Sequence, residues 1–199
     1  MALGKQAKIV DPRHVTKLLD HVAKSRHPER DRVMVLLSFK AGLRAKEIAG
    51  LSWAMVTDAG GELADVISLQ NRASKGKRGG RTIPMHPELA QALAAVWQVA
   101  VARDRCRPEL PVIYSTRARG YSANSVTVWF HTRFAELGLT GASSHSGRRT
   151  FITNGAKKIT QAGGSLRDIQ ELAGHSSLAT TQRYIEGDTD AKRKVVGLL

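Results

Sequence analysis

The residues richest in chemistry lie in two places. Arg44 stands early in the chain, and the forty residues from His145 to Tyr184 hold two imidazoles, a guanidinium and a phenol: His145, Arg148, His175 and Tyr184. A guanidinium is always charged and offers a planar fork of donors that matches phosphate oxygens. An imidazole can donate to such an oxygen or shuttle a proton. A phenol can attack phosphorus and hold it covalently. A lysine can protonate a leaving alkoxide, and the segment NRASKGKRGG offers Lys75 and Lys77. Together these groups suit phosphoryl transfer, which depends mainly on positioning and on stabilising charge over the oxygens. Such a set needs no metal, because guanidinium charge replaces it.

Each residue also has an ordinary reading. Arg44 fits a solvated surface arginine, His145 a capping or surface histidine, Tyr184 a core residue with a satisfied hydroxyl, and the lysine run a solvated charge cluster. Order and spacing of the whole set decide between the two. His145 and Arg148 are three apart and would share a face on a helical turn. His175 follows Gly174 just past a helix end, and Tyr184 lies near the end of the next short helix.

Charge points the same way. Lysine and arginine number 31 against 17 acids, a net charge of +14. That excess attracts polyanions and speeds their association, which favours nucleic acid as partner. No basic amphipathic helix with a Trp/Phe/Leu face suggests a membrane surface, no apolar run approaches about 18 residues, and no signal peptide opens the chain. The single cysteine, Cys106, forbids an intramolecular disulfide and a cysteine-based zinc site. His145 and His175 lack the HxxxH or HExxH pairing of a metal site. The reading is a cytoplasmic protein from a reducing compartment, without a metal or other cofactor. At 199 residues the chain suffices for one domain with a full core.

The elements that must position these residues are mostly helices. Asp11-Pro12 starts a helix with Val15, Leu18, Leu19 and Val22 on one stripe. A buried run, 33–39, follows Pro28 and stops at Gly42. A short helix through Leu51 places Ile48 and Leu51 inward and Arg44 at its first turn, beside free backbone N–H groups that would attract an anion. Val66–Leu69 and Thr82–Met85 read as two strands of a hairpin with a basic tip, NRASKGKRGG, at 71–80. A helix over about 87–103 shares a face between Leu89, Leu93, Val96, Trp97 and Val101. Arg117, Arg119 and Tyr121 make a second basic loop. Ser122 or Asn124 caps a helix to about Leu137 carrying Val126, Val128, Trp129, Phe130 and Phe134, with Trp129 and Phe134 read as core. Ser144 caps the helix of Arg148. Residues 155–164 are a polar, glycine-spaced region. Ser165 and Asp168 form a capping box, Gly174 ends that helix, and Ser177 caps the helix of Tyr184. The fold class is α+β: mainly helical with one small antiparallel sheet.

Four ordered segments carry a family resemblance: AGLRAKEIAGLSW (41–53), SKGKRGGRTIPM (74–85), HSGRRTF (145–151) and LAGHSSLATTQRYI (172–185). They resemble the catalytic domain of the tyrosine recombinases, the phage integrase family, over roughly residues 11–186. The nine-residue spacing of His175 and Tyr184 is the family's. The resemblance implies a site-specific DNA recombinase of integrase or invertase type, a strand transferase acting through a 3′-phosphotyrosine. It implies that Arg44 and Arg148 bind the scissile phosphate, that His175 donates to it, and that His145 assists proton transfer. Lys75 would be the general acid, with Lys77 as runner-up, and Tyr184 the nucleophile. Lys77, Arg78 and Arg81 would contact DNA. The implied partners are double-stranded DNA and further copies of the chain, as a dimer or tetramer on DNA.

The chain also departs from the family. Gly147 and Arg149 stand where leucine and histidine are usual, and Arg148 to His175 is a few residues long. Family members usually carry a helical DNA-binding domain before the catalytic one. Here the expected organisation is a basic lead-in over 1–10, a catalytic domain over 11–186, and a tail over 187–199 that docks on a neighbouring copy or on its own core. In length the chain resembles short bacterial invertases; an isolated catalytic domain is the other possibility. A non-cleaving DNA-binding regulator of the same fold and a type IB topoisomerase are the competing functional readings.

Overall fold

The computed structural model describes residues 7–70, 80–115, 120–185 and 196–197. The chain divides into two compact units, residues 1–151 and 152–199. In chain order the elements are α1 (Pro12–Val22), α2 (Pro28–Phe39), α3 (Ala45–Ala49), β1 (Val66–Leu69), β2 (Arg81–Pro84), α4 (Pro87–Ala102), α5 (Ala123–Glu136), α6 (Ser146–Lys158), α7 (Leu166–Ala173) and α8 (Leu178–Ile185). The fold class is the expected one. No helix among the described residues is long and apolar enough to cross a membrane.

The first unit is built around α2. Its run Val33, Met34, Val35, Leu36 and Leu37 is fully buried, so this helix is apolar on more than one face. Helices α1, α3 and α4 pack against it, and α5 packs on α3. The start of α1 is as expected: the Asp11 carboxylate accepts the Arg13 N–H at 2.9 Å, with Pro12 in the first turn. The lead-in is anchored near its end, where the buried Val10 donates its N–H to Thr150 Oγ1 at 2.9 Å. Strands β1 and β2 pair antiparallel, Leu69 opposite Arg81. Ile67 and Ile83 face each other and are buried, while the next pair, Ser68 and Thr82, is exposed. The hairpin tip, with Lys75, Lys77 and Arg78, lies outside the described residues.

Two apolar residues are not where the pattern put them. Val101 is 48% exposed and Ala100 is buried instead. At ~100° per residue, position 101 falls about 120° round from Leu89 and position 100 only about 20°. On α5, Val126, Phe130 and Phe134 make the buried stripe at i, i+4, i+8, and Val128 points out at 54% exposure. Phe134 is core, as expected; Trp129 is half-buried, its ring edge-on to Phe130.

Helix α6 begins at Ser146, two residues after the expected cap. The polar pair is Ser143 and Ser146: Ser143 Oγ accepts the His145 N–H at 3.3 Å, and Ser146 Oγ accepts the Ser143 N–H at 3.0 Å. Gly147 explains the missing leucine. A Cβ there would stand 2.2 Å from Ser38 Oγ and 2.9 Å from Ser38 Cβ, so α6 touches α2 through a residue with no side chain. Gly147→Ala is expected to lower stability by about 1–3 kcal/mol through overpacking. An unchanged urea midpoint would show that α2 yields freely.

In the second unit the region read as polar and glycine-spaced, 155–164, is partly helix. α6 runs on to Lys158, and Gly155 lies against Ile169 of α7, 3.0 Å from where a Cβ would sit. A turn then closes with the Gly164 N–H on the Ile159 carbonyl. The capping box of α7 is present: Asp168 Oδ2 accepts the Ser165 N–H at 2.6 Å. Gly174 ends α7 at φ +62°, the left-handed conformation glycine adopts without cost. The Ser177 hydroxyl caps α8 by accepting the Thr180 N–H. Of the tail, only residues 196 and 197 are described, and Val196 is exposed.

Candidate active site

Arg44 is the N-cap residue of α3. Its backbone N–H donates to Glu47 Oε2 and its Nη1 to Glu47 Oε1, both at 2.8 Å. From β2, Arg81 closes on the same carboxylate with two parallel bonds of 2.8 and 3.0 Å. The Glu47 side chain has no exposure, while Arg44 keeps 27%. Burial alone would raise the Glu47 pKa. The hydrogen bond and charge of Arg81, then the N–H and charge of Arg44, more than offset it and hold the value at about 2. At neutral pH the cluster therefore carries two positive charges and one negative. Of the backbone N–H groups at this helix start, that of Arg44 itself is taken by Glu47. Arg81, expected on a DNA backbone, is differently placed. Its side chain is 11% exposed and its fork grips Glu47, tying β2 to α3.

Arg148 lies in the first turn of α6 and is 3% exposed. Its Nη1 donates to the Gly42 carbonyl at 2.8 Å. Gly42 holds φ +64°, and a Cβ there would meet the Phe151 ring at 2.4 Å. The sharp turn after α2 thus needs glycine twice over, for its backbone and for its space. It presents a carbonyl to Arg148 two residues before Arg44, so one loop seats both arginines. His145 is exposed and precedes the first helical residue. The i, i+3 pairing expected with Arg148 does not apply there, and the two side chains differ in burial.

The second unit holds His175 and Tyr184. Beyond Gly174, the His175 N–H donates to the Gln170 carbonyl at 3.0 Å, and Gln170 Nε2 donates back to the His175 carbonyl at 3.1 Å. The imidazole Nδ1 lies 2.9 Å from Thr181 Oγ1. Its ring stacks on that of Tyr184, centroids 5.3 Å apart and planes 23° from parallel. Thr153, on α6, donates its hydroxyl to the Tyr184 carbonyl at 3.3 Å. Among the described residues no group of three or more His, Cys, Asp or Glu side chains is placed to hold a metal.

The structure therefore joins Arg44 with Arg148 in one unit and His175 with Tyr184 in the other. Sequence reasoning missed Glu47, the Gly42 carbonyl and Thr181. Glu47 had a signal: an acid three residues after Arg44, in the first turn of a helix, is a capping position. Thr181 had one too, three residues before Tyr184 on the same face.

Residues 8–190 match the model of the phage integrase family. The tyrosine recombinase XerC of Nitrobacter winogradskyi is 31% identical over 163 residues, covering 81% of this chain and 47% of the relative. The crystal structure of XerA recombinase superposes with a TM-score of 0.74 at 22% identity, over 96% of this chain and 64% of that one. A lambda integrase dimer bound to a COC′ core site gives 0.65 at 20%, over 89% and 47%. The fold is that of tyrosine recombinase catalytic domains, and the chain belongs to the phage integrase family. It spans about half the length of the curated relative it matches.

Proposed function

We propose that this chain is a site-specific DNA strand transferase that cuts and rejoins duplex DNA through a 3′-phosphotyrosine on Tyr184. The observation that carries the reading is the Tyr184 ring held against the His175 imidazole at the family's nine-residue spacing. The bond P–O5′ breaks as a bond from phosphorus to the Tyr184 oxygen forms. The phenolic proton passes to a base, with His145 assisting, and the departing 5′ oxygen takes a proton from Lys75, or from Lys77 in its place. Arg44 and Arg148 hold the non-bridging oxygens, and His175 donates to one of them. Attack by the 5′ hydroxyl of another strand reverses the step. One phosphoester replaces another, so no energy-rich cofactor is consumed.

The same reading takes residues 11–186 as the catalytic domain, 187–199 as a tail that docks on a neighbouring copy or on its own core, and double-stranded DNA with further copies of the chain as partners. Lys77 and Arg78 are assigned to DNA contact in this scheme, by the resemblance alone. The bound core site of the lambda integrase relative supports DNA as substrate. Arg81 serves this scheme through Glu47.

The test uses nicked duplexes tiling the DNA beside the gene, which trap a cleaved intermediate. Wild type should form an adduct stable to denaturant, and Tyr184→Phe none. A duplex shifted by wild type without any adduct would favour the non-cleaving regulator. An adduct that persists in Tyr184→Phe would remove Tyr184 from its role.

A further inference from the structure

We infer that Thr181 is a positioning residue that fixes the proton of His175 on Nε2, and that α8 carries imidazole and phenol as one body. The Thr181 side chain is fully buried, and its Oγ1 lies 2.9 Å from His175 Nδ1. A threonine hydroxyl can donate once and accept twice. Among the described residues Nδ1 is the one group within reach of that hydroxyl's proton. If Nδ1 carried its own proton, it would donate to Oγ1 and leave the threonine proton buried without an acceptor, which is costly. The satisfied arrangement has Oγ1–H donating to an unprotonated Nδ1. In the neutral imidazole the proton then resides on Nε2, and that edge of the ring is a donor.

Thr181 and Tyr184 are three apart on α8 and share a face. The threonine grips Nδ1, and the tyrosine ring lies against the imidazole plane at 5.3 Å. While both contacts hold, a displacement of α8 turns the imidazole about its own side-chain bonds along with the phenol, and the His175 backbone stays on Gln170. The functional consequence rests on the reading of Tyr184 as nucleophile: the Nε2 donor and the attacking oxygen arrive together. The position of the proton does not depend on that reading.

The experiment is nitrogen NMR of ring-labelled histidine in the free protein, above the pH at which the ring protonates, with His175→Gln to assign the signal among seven histidines. Wild type should show a pyrrole-type Nε2 and a pyridine-type Nδ1. Thr181→Ser should keep that pattern. Thr181→Val, of nearly the same shape, should give a mixture with Nδ1–H present. On nicked duplex, Thr181→Val should form the covalent adduct about tenfold more slowly, the equivalent of one hydrogen bond, and Thr181→Ser within about twofold of wild type. A wild-type proton on Nδ1 overturns the inference whether or not the valine variant folds, and so does an identical spectrum in Thr181→Val. If the spectra behave as described while wild type forms no adduct, the positioning stands and the strand-transferase reading falls.

Discussion

Replacing Arg148 with alanine is expected to slow formation of the covalent DNA complex about a thousandfold or more while leaving duplex affinity within a few fold. A guanidinium that stabilises charge on a transferring phosphoryl group contributes on the order of 10³–10⁵ in rate. Affinity is spread over the many basic residues of a chain with net charge +14, so one of them matters little to it. Arg148→Lys separates charge from geometry. Lysine keeps a point charge but cannot both donate to Gly42 O and present a second N–H to phosphate in a fixed plane. Its rate should fall about a hundredfold. Single-turnover cleavage of nicked duplex reads both variants. Rates within threefold of wild type would show that Arg148 serves only to anchor the loop at Gly42.

The second large effect is on stability. Glu47→Gln keeps the shape of the side chain but leaves Arg81 and Arg44 without their shared anion. Removing one partner of a buried pair typically costs about 3–5 kcal/mol, because the other charge stays desolvated. The urea midpoint should fall accordingly, and adduct formation with it, since Arg44 loses the anchor of its helix turn. The same carboxylate sets a pH dependence. Its folded pKa is depressed from 4.5 to about 2, so its contribution is fully present above pH 4.5 and is lost as pH falls toward 2. At 1.36 kcal/mol per pKa unit this amounts to about 3 kcal/mol. Wild type should lose that much across the window, and Glu47→Gln should lack this loss. A variant as stable as wild type, with the same acid profile, would remove Glu47 from the centre of the site.

What was legible in the sequence depended on locality. Caps announce themselves by one residue and its neighbours: Asp11-Pro12, Ser165 with Asp168, and Gly174 all appear as read. The hairpin was legible from strand alternation either side of a glycine-rich basic run. The core of α2 was legible as an unbroken apolar stretch. Errors came where the answer lay in a distant segment. Gly147 was a bare departure until Ser38, more than a hundred residues upstream, proved to occupy the space of its side chain. Arg81 looked like another cation in a basic loop because nothing local links it to Glu47. The polar pattern at 155–158 concealed helix, since a glycine facing Ile169 of α7 is a packing choice rather than a break. For the candidate residues, type and order were readable, but what orients them was not. Gly42 offers a backbone carbonyl, which no side-chain pattern reveals, and Thr181 acts through the hydroxyl of a residue that otherwise reads as helix filler.

The central claim is that Tyr184 becomes joined to DNA, and mass spectrometry of the trapped complex tests it most directly. After wild type reacts with nicked duplex, protease and nuclease digestion should leave one peptide bearing a nucleotide remnant. Fragmentation is expected to place it on the Tyr184 oxygen, linked through a 3′ phosphate. A remnant on any other residue, a 5′ linkage, or the absence of any nucleotide-bearing peptide while the duplex is cut would contradict the account.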